Sequence, residues 1–253
     1  MPFLVAQIDA APVDLRRWAA VLPLVITRLR ELSFDSDGVV RFPSGRREGL
    51  RLVDGRAGRT GATYGVVLPE TVVDPVSRQE RSRPAVPIEL TVERDTTREL
   101  RVALSSTEYD AEITLESPTA PTRAHGRLTM VPPDVPSWLG RKIKLEGTLD
   151  VTDVHRPMLE VEGRMRRARA SARLQHLDGK LRLDLTVRPK GLLRFAALLW
   201  PFVSGQARRS VVEQMTEAWP GVVAALATDR TVESAADEIM LGLENDLVER
   251  VAA

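Results

Sequence analysis

The chain has 253 residues and no cysteine, and its 36 Lys and Arg meet 35 Asp and Glu for a formal net charge of +1. A chain of this length buries roughly 70–75% of its unfolded surface without disulfide or metal staples, and the missing thiols exclude Cys nucleophiles, thiolate zinc sites and redox pairs. The near-zero charge speaks against a dedicated nucleic-acid binder, while 43% hydrophobic and 28% charged residues describe an ordinary globular chain.

In chain order, Phe3 to Ile8 reads as a short strand, and Ala11-Pro12 suits the start of a helix. Leu15, Trp18, Ala19, Leu22, Val25, Ile26 and Leu29 then recur at helical spacing, with Pro23 expected to split or kink the helix. The first nine residues lack a basic leader segment and meet Asp9 too soon for a signal peptide. No stretch reaches the roughly 20 apolar residues of a spanning helix, so a cytoplasmic chain is expected. Ser33 to Gly61 is rich in Gly, Arg and Asp and reads as turns with short strands. Within it, Gly55-Arg56-Ala57-Gly58-Arg59-Thr60-Gly61 has the look of a phosphate loop. Such a loop should open a helix whose amides hold the anion. Here the strand-like Ala62 to Leu68 follows, so the segment reads as a turn.

The middle of the chain alternates with period two. Ile88, Leu90 and Val92 form one such set, and Leu100, Val102 and Leu104 another. Tyr109, Ala111, Ile113 and Leu115 are followed by Ala124, Gly126, Leu128 and Met130, then by Ile143, Leu145, Gly147, Leu149 and Val151. Alternation of this kind predicts antiparallel strands with one buried and one wet face. Asp178-Gly179 predicts a two-residue hairpin turn, which fixes register. Leu177 should then face Lys180, His176 Leu181, Leu174 Leu183, Ala172 Leu185 and Ala170 Val187. Small alanines opposite large aliphatics leave a hollow on that face. A faint likeness between 92–116 and 151–175 fits either duplication of a strand–hairpin unit or the ordinary look of a meander.

After Pro189 the pattern turns helical. Leu192, Leu193, Phe195, Ala196, Leu198, Leu199 and Trp200 are apolar nearly all round; Val211, Val212, Met215, Trp219, Val222, Val223 and Leu226 share one face of a helix that Pro220 should kink. A last amphipathic helix carries Val232, Ala236, Ile239, Leu243, Leu247 and Val251.

The stretch Leu183-Asp184-Leu185-Thr186-Val187-Arg188-Pro189-Lys190-Gly191-Leu192-Leu193-Arg194-Phe195 resembles the last strand and helix start of START-like (SRPBCC, polyketide cyclase/dehydrase-like) proteins. Ala6-Gln7-Ile8-Asp9-Ala10-Ala11-Pro12-Val13 resembles that superfamily's first strand and Ala-Pro helix start. The chain is longer than a single domain of this kind and holds more than its seven strands. The expected class is therefore α+β: a curved antiparallel sheet gripping a long C-terminal helix, an enlarged helix-grip over 1–228. An acidic helical extension over 229–253 follows. The resemblance implies a cavity between sheet and C-terminal helix that binds a hydrophobic or amphipathic small molecule such as a lipid, polyketide or isoprenoid. A second reading is a cyclase or dehydratase with Tyr109 and His176 as proton donors or acceptors.

The candidate ligand-binding residues are Tyr64, Tyr109, Ala170, Ala172, His176, Trp200, Met215 and Trp219. Parity points both tyrosines inward, where a buried phenol needs a partner that backbone or ligand can supply. His176 falls on the apolar face, His125 should point to solvent, and His155 sits beside Arg156-Pro157 in a turn. These three histidines match no metal spacing, and no cofactor, metal or catalytic residue is expected.

Charge is segregated along the chain. Arg164 to Arg209 holds twelve basic residues against Asp178 and Asp184, a balance of +10, whereas Asp229 to the end balances at −5. Three readings compete: a solvated face, an acidic helix packed on the basic sheet face of this chain or of a homodimer partner, and docking on an anionic membrane. Nucleic acid is not expected, because no aromatics are interleaved for stacking.

Overall fold

The structure, a computed structural model, describes residues 4–11, 14–42, 50–73, 80–131, 142–152, 158–166, 168–177, 179–189, 200–225 and 231–252. β1 (Leu4–Asp9) leads through a 3-10 turn (Leu15–Arg17) into α1 (Trp18–Arg30). The short pair β2 (Ser33–Phe34) and β3 (Val40–Arg41) precedes ten strands: β4 (Arg51–Asp54), β5 (Thr63–Val73), β6 (Glu80–Asp95), β7 (Glu99–Ser105), β8 (Tyr109–Glu116), β9 (Arg123–Met130), β10 (Ile143–Asp150), β11 (Leu159–Met165), β12 (Ala168–Leu177) and β13 (Lys180–Pro189). α2 (Trp200–Ala225) and α3 (Val232–Ala252) complete the chain.

The period-two segments join into one open, curved antiparallel sheet of eleven strands, ordered β1-β13-β12-β11-β10-β9-β8-β7-β6-β5-β4. The class is thus α+β with few helices. The hairpin register at Asp178-Gly179 is the one the turn dictates, from Leu177 opposite Lys180 to Ala170 opposite Val187. Gly179 has φ +73, the left-handed conformation that such a turn needs and glycine adopts without strain. Asp178 itself lies outside the described residues.

The helices span the sheet's two ends. α2 lies along β1, and α3 contacts α2, α1 and β5. Laid flat, β1 and β5 would stand about 43 Å apart. The natural twist and curl of the sheet brings both ends under one helical layer.

Two core clusters result. In one, Val21 and Val25 of α1 meet Ala235, Ala236 and Met240 of α3, and the two alanines allow the helices a close approach. In the other, Ala10, Leu181 and Trp219 pack with Ile8, Leu174, Met215 and Val223. The α3 stripe differs from the sequence expectation: Ala235 and Met240 are buried, whereas Leu243 is 40% exposed. The paired alanines turn the helix so that they, and not the larger Leu243, face α1. Likewise Val222 is exposed although Trp219 and Val223 are covered. Pro23 does not split α1, which runs unbroken past it. The expected helix over 192–199 lies outside the described residues.

Candidate functional site

Cross-strand pairing places one apolar row after another on the face that the helices touch. One row runs from Val102 through Ile113, Gly126, Gly147, Val161 and Ala172 to Leu185. Its neighbour runs from Leu100 through Leu115, Ala124, Leu149, Leu159 and Leu174 to Leu183. Directly opposed residues share a face, so the face is continuous from β7 to β13.

The described residues cover this face unevenly. At the β1–β13 end α2 presses Met215, Trp219 and Val223 onto Ile8, Leu174 and Leu181. Trp219 stacks on His176, with ring centroids 5.9 Å apart and planes 14° from parallel. His176 Nε2 and Trp219 Nε1 are both buried, and neither has a hydrogen-bond partner among the described residues. A buried polar atom left this way costs about 1–3 kcal/mol unless a polar group reaches it.

At the other end α1 bridges β5, β6 and β7 over a cavity of about 180 Å³, whose lining includes Ile26, Leu29, Phe34, Tyr64, Leu90 and Val102. Arg30 and Asp95, which also line it, are ion-paired. The Tyr64 ring lies 5.7 Å from Phe34, and its hydroxyl accepts a 2.7 Å hydrogen bond from the Gly58 N–H. Gly58 has φ +66, and a Cβ there would stand 2.9 Å from the Arg30 carbonyl oxygen. The glycine loop therefore docks on the end of α1 and secures Tyr64, a role its spacing did not disclose.

Between these ends the face is open among the described residues. Ile113 is 49% exposed, and a Cβ built on Gly126 would meet nothing within 4 Å. Ala111, Leu128, Leu145, Ala170 and Ala172 are half-buried.

Of the sequence candidates, His176, Met215 and Trp219 come together under α2, Ala170 and Ala172 lie in the open middle, and Tyr64 lies under α1. Tyr109 shares the face, but at the opposite rim from His176. The two are four strands apart across the sheet and about 26 Å apart along the strand direction, so they share no reacting atom. The Trp200 side chain and His155 lie outside the described residues. His125 points outward to Thr148 at 3.1 Å and Glu116 at 3.0 Å.

A second cavity of about 550 Å³ lies beside α1, β2–β3 and α3, its lining mixing Leu32, Phe42 and Met240 with Arg28, Asp237 and Glu244. Arg28 pairs there with Asp237 at 2.8 Å, which ties the acidic helix α3 to α1. Among the described residues no cluster of three or more His, Asp or Glu could hold a metal ion, and no helix is long and apolar enough to cross a membrane. No family model matches the chain, and no curated protein or solved structure matches it either.

Proposed function

We propose that the chain binds an elongated apolar or amphipathic molecule, of the lipid, polyketide or isoprenoid kind, on the inner face of its sheet. The observation that carries this reading is the continuous apolar face whose middle, among the described residues, stays open while its ends lie under helices. A chain lying across β12 to β7 would extend about 24 Å, which suits a long acyl or isoprenoid chain. The Leu174-to-Leu100 row leads from beside His176 to the cavity under α1. The polar end of the ligand belongs at His176 and Trp219, whose nitrogens have no partner among the described residues, and its tail in the α1 cavity. Binding sites of this kind are mostly apolar with a few placed polar groups.

The strand order supports an enlarged helix-grip: the first strand pairs with the last, and the others follow in sequence. The START-like resemblance implies the same. The cavity under α1 supports putting the hydrophobic site mainly on the sheet and α1. Acid–base catalysis by Tyr109 and His176 is not part of this reading, because the two stand at opposite rims. The cysteine-free composition agrees with a cytoplasmic setting.

Native mass spectrometry of protein purified from its own host tests the proposal. The expected result is a co-purified apolar species that Gly126→Phe removes while the circular-dichroism spectrum and melting cooperativity are kept. A bare chain that also fails to take up a long-chain fatty acid in vitro would overturn it.

A further inference from the structure

The outer face of the same sheet carries an arrangement that packing does not explain. Lys144 of β10 stands opposite Arg164 of β11, Arg164 opposite Arg169 of β12, and Arg169 opposite Arg188 of β13. All four are exposed. Directly opposed side chains have Cβ atoms roughly 4.5–5.5 Å apart, and like charges at that distance repel. Three such contacts in succession are a cost to the fold.

Carboxylates do little to relieve it. Glu162 reaches Arg164 at 3.4 Å, but both side chains are well exposed, and Lys144, Arg169 and Arg188 have no acidic partner among the described residues. A shallow groove of about 280 Å³ lies along the row, lined by Arg164, Arg169, Arg173 and Arg188, with Ser171 and Thr186 hydroxyls beside them and Glu162 the one acid. Guanidinium forks flanked by hydroxyls match the oxygens of a phosphate group. Lys142 and Arg166, both exposed, extend the positive charge along the same rim, where Val131 is 39% exposed.

We infer that this rim is a docking surface for an anionic membrane, with the row Lys144–Arg164–Arg169–Arg188 seated on lipid phosphates. The row spans about 14 Å, more than one phosphate fills and suited to several neighbouring headgroups. The exposed Val131 fits the boundary between headgroups and acyl chains. The acidic helix α3 is not its partner within the chain, because α3 packs on α1 and β5 and its Asp237 is held by Arg28. The inference stands apart from the ligand reading, since vesicle docking requires no occupied inner face.

Vesicle flotation with the full chain tests it, using phosphatidylglycerol/phosphatidylcholine vesicles and phosphatidylcholine alone at low and high salt. The wild type is expected to float with the anionic vesicles at low salt only. The combined variant Arg164→Gln, Arg169→Gln, Arg188→Gln should bind at least tenfold more weakly, while Arg101→Gln, on the same face but on β7, and Gly126→Phe bind as wild type. Removing like-charge repulsion should leave the variant's melting temperature equal or higher, so lost binding will not reflect lost folding. Equal binding by the triple variant, or no binding by the wild type, would overturn the inference. So would abolition of floating by millimolar inorganic phosphate at constant ionic strength, which would make a free phosphate the occupant. A dimer in sedimentation velocity that the triple variant dissolves, without vesicle binding, would assign the row to a second copy instead.

Discussion

The two helix-covered ends of the apolar face fail in opposite ways. Under α2 the apolar contacts are made and the hydrogen bonding is incomplete: Trp219 joins Ala10 and Leu181 in a buried cluster, yet its Nε1 and His176 Nε2 have no partner among the described residues. Under α1 the hydrogen bonding is met and the packing incomplete: Tyr64 holds its Gly58 amide, yet about 180 Å³ stays empty beside it. A purely structural core would avoid both defects, since interiors pack densely and satisfy their polar atoms. One molecule with a polar end and an apolar tail would mend both at once.

The contrast can be broken or sharpened by substitution. Trp219→Ala should have the largest effect, about 3–5 kcal/mol of lost stability in urea titration, because it empties the filled end. A loss below about 1 kcal/mol would mean that the α2 end is as loosely packed as the α1 end. Gly58→Ala should cost about 2 kcal/mol, from the left-handed backbone and the close Arg30 carbonyl, and should free the Tyr64 hydroxyl. Its signature is faster hydrogen exchange in 55–64 than in β12 and β13. His176→Phe should raise stability by about 1 kcal/mol, since it removes an unsatisfied buried nitrogen, while weakening retention of an amphipathic ligand. A stability loss there would show that the nitrogen is already satisfied.

The outer face offers a reference site of smaller effect. Asp150 accepts from the Thr152 hydroxyl at 2.5 Å and amide at 2.9 Å, and from Arg123 at 2.8 Å. These bonds, those to Thr152 first, lower its pKa from 3.8 to about 2. A carboxyl depressed by folding contributes stability that is full above its unfolded pKa near 4 and is lost as pH falls toward 2. Asp150→Asn should therefore flatten the stability profile between pH 4 and 2, by about 1 kcal/mol or less at this rim site. NMR titration of the carboxyl checks the assignment; an ordinary midpoint near 4 would remove it.

Much of this architecture is legible in the residues. Period-two alternation located β6 to β10, and Asp178-Gly179 gave the β12–β13 hairpin its register, because both signals are local; β11 carries no such reading. His176 could be placed on the apolar face from that register alone. Its stacking on Trp219 could not, since α2 returns to β12 from more than forty residues away. The rotation of α3 escaped the hydrophobic stripe for a similar reason: the stripe counts apolar residues, whereas contact with α1 rewards small ones. The basic block was visible as a sum, but its alignment as one row depends on β10 pairing with β11 across a loop that carries no register signal.

The place of β1 at the sheet's edge has a kinetic consequence. Leu4 to Asp9 pair with Leu185 to Lys180, more than two thirds of the chain away. The strands from β4 to β13 can zip one onto the next through neighbouring turns, whereas β1 must wait for the last of them. Until it arrives, β13 presents an unpaired edge open to other strands, and α1 and α2 lack the framework on which they close. Contacts of such long sequence separation slow folding. The chain's earliest residues are thus among the last to take their place.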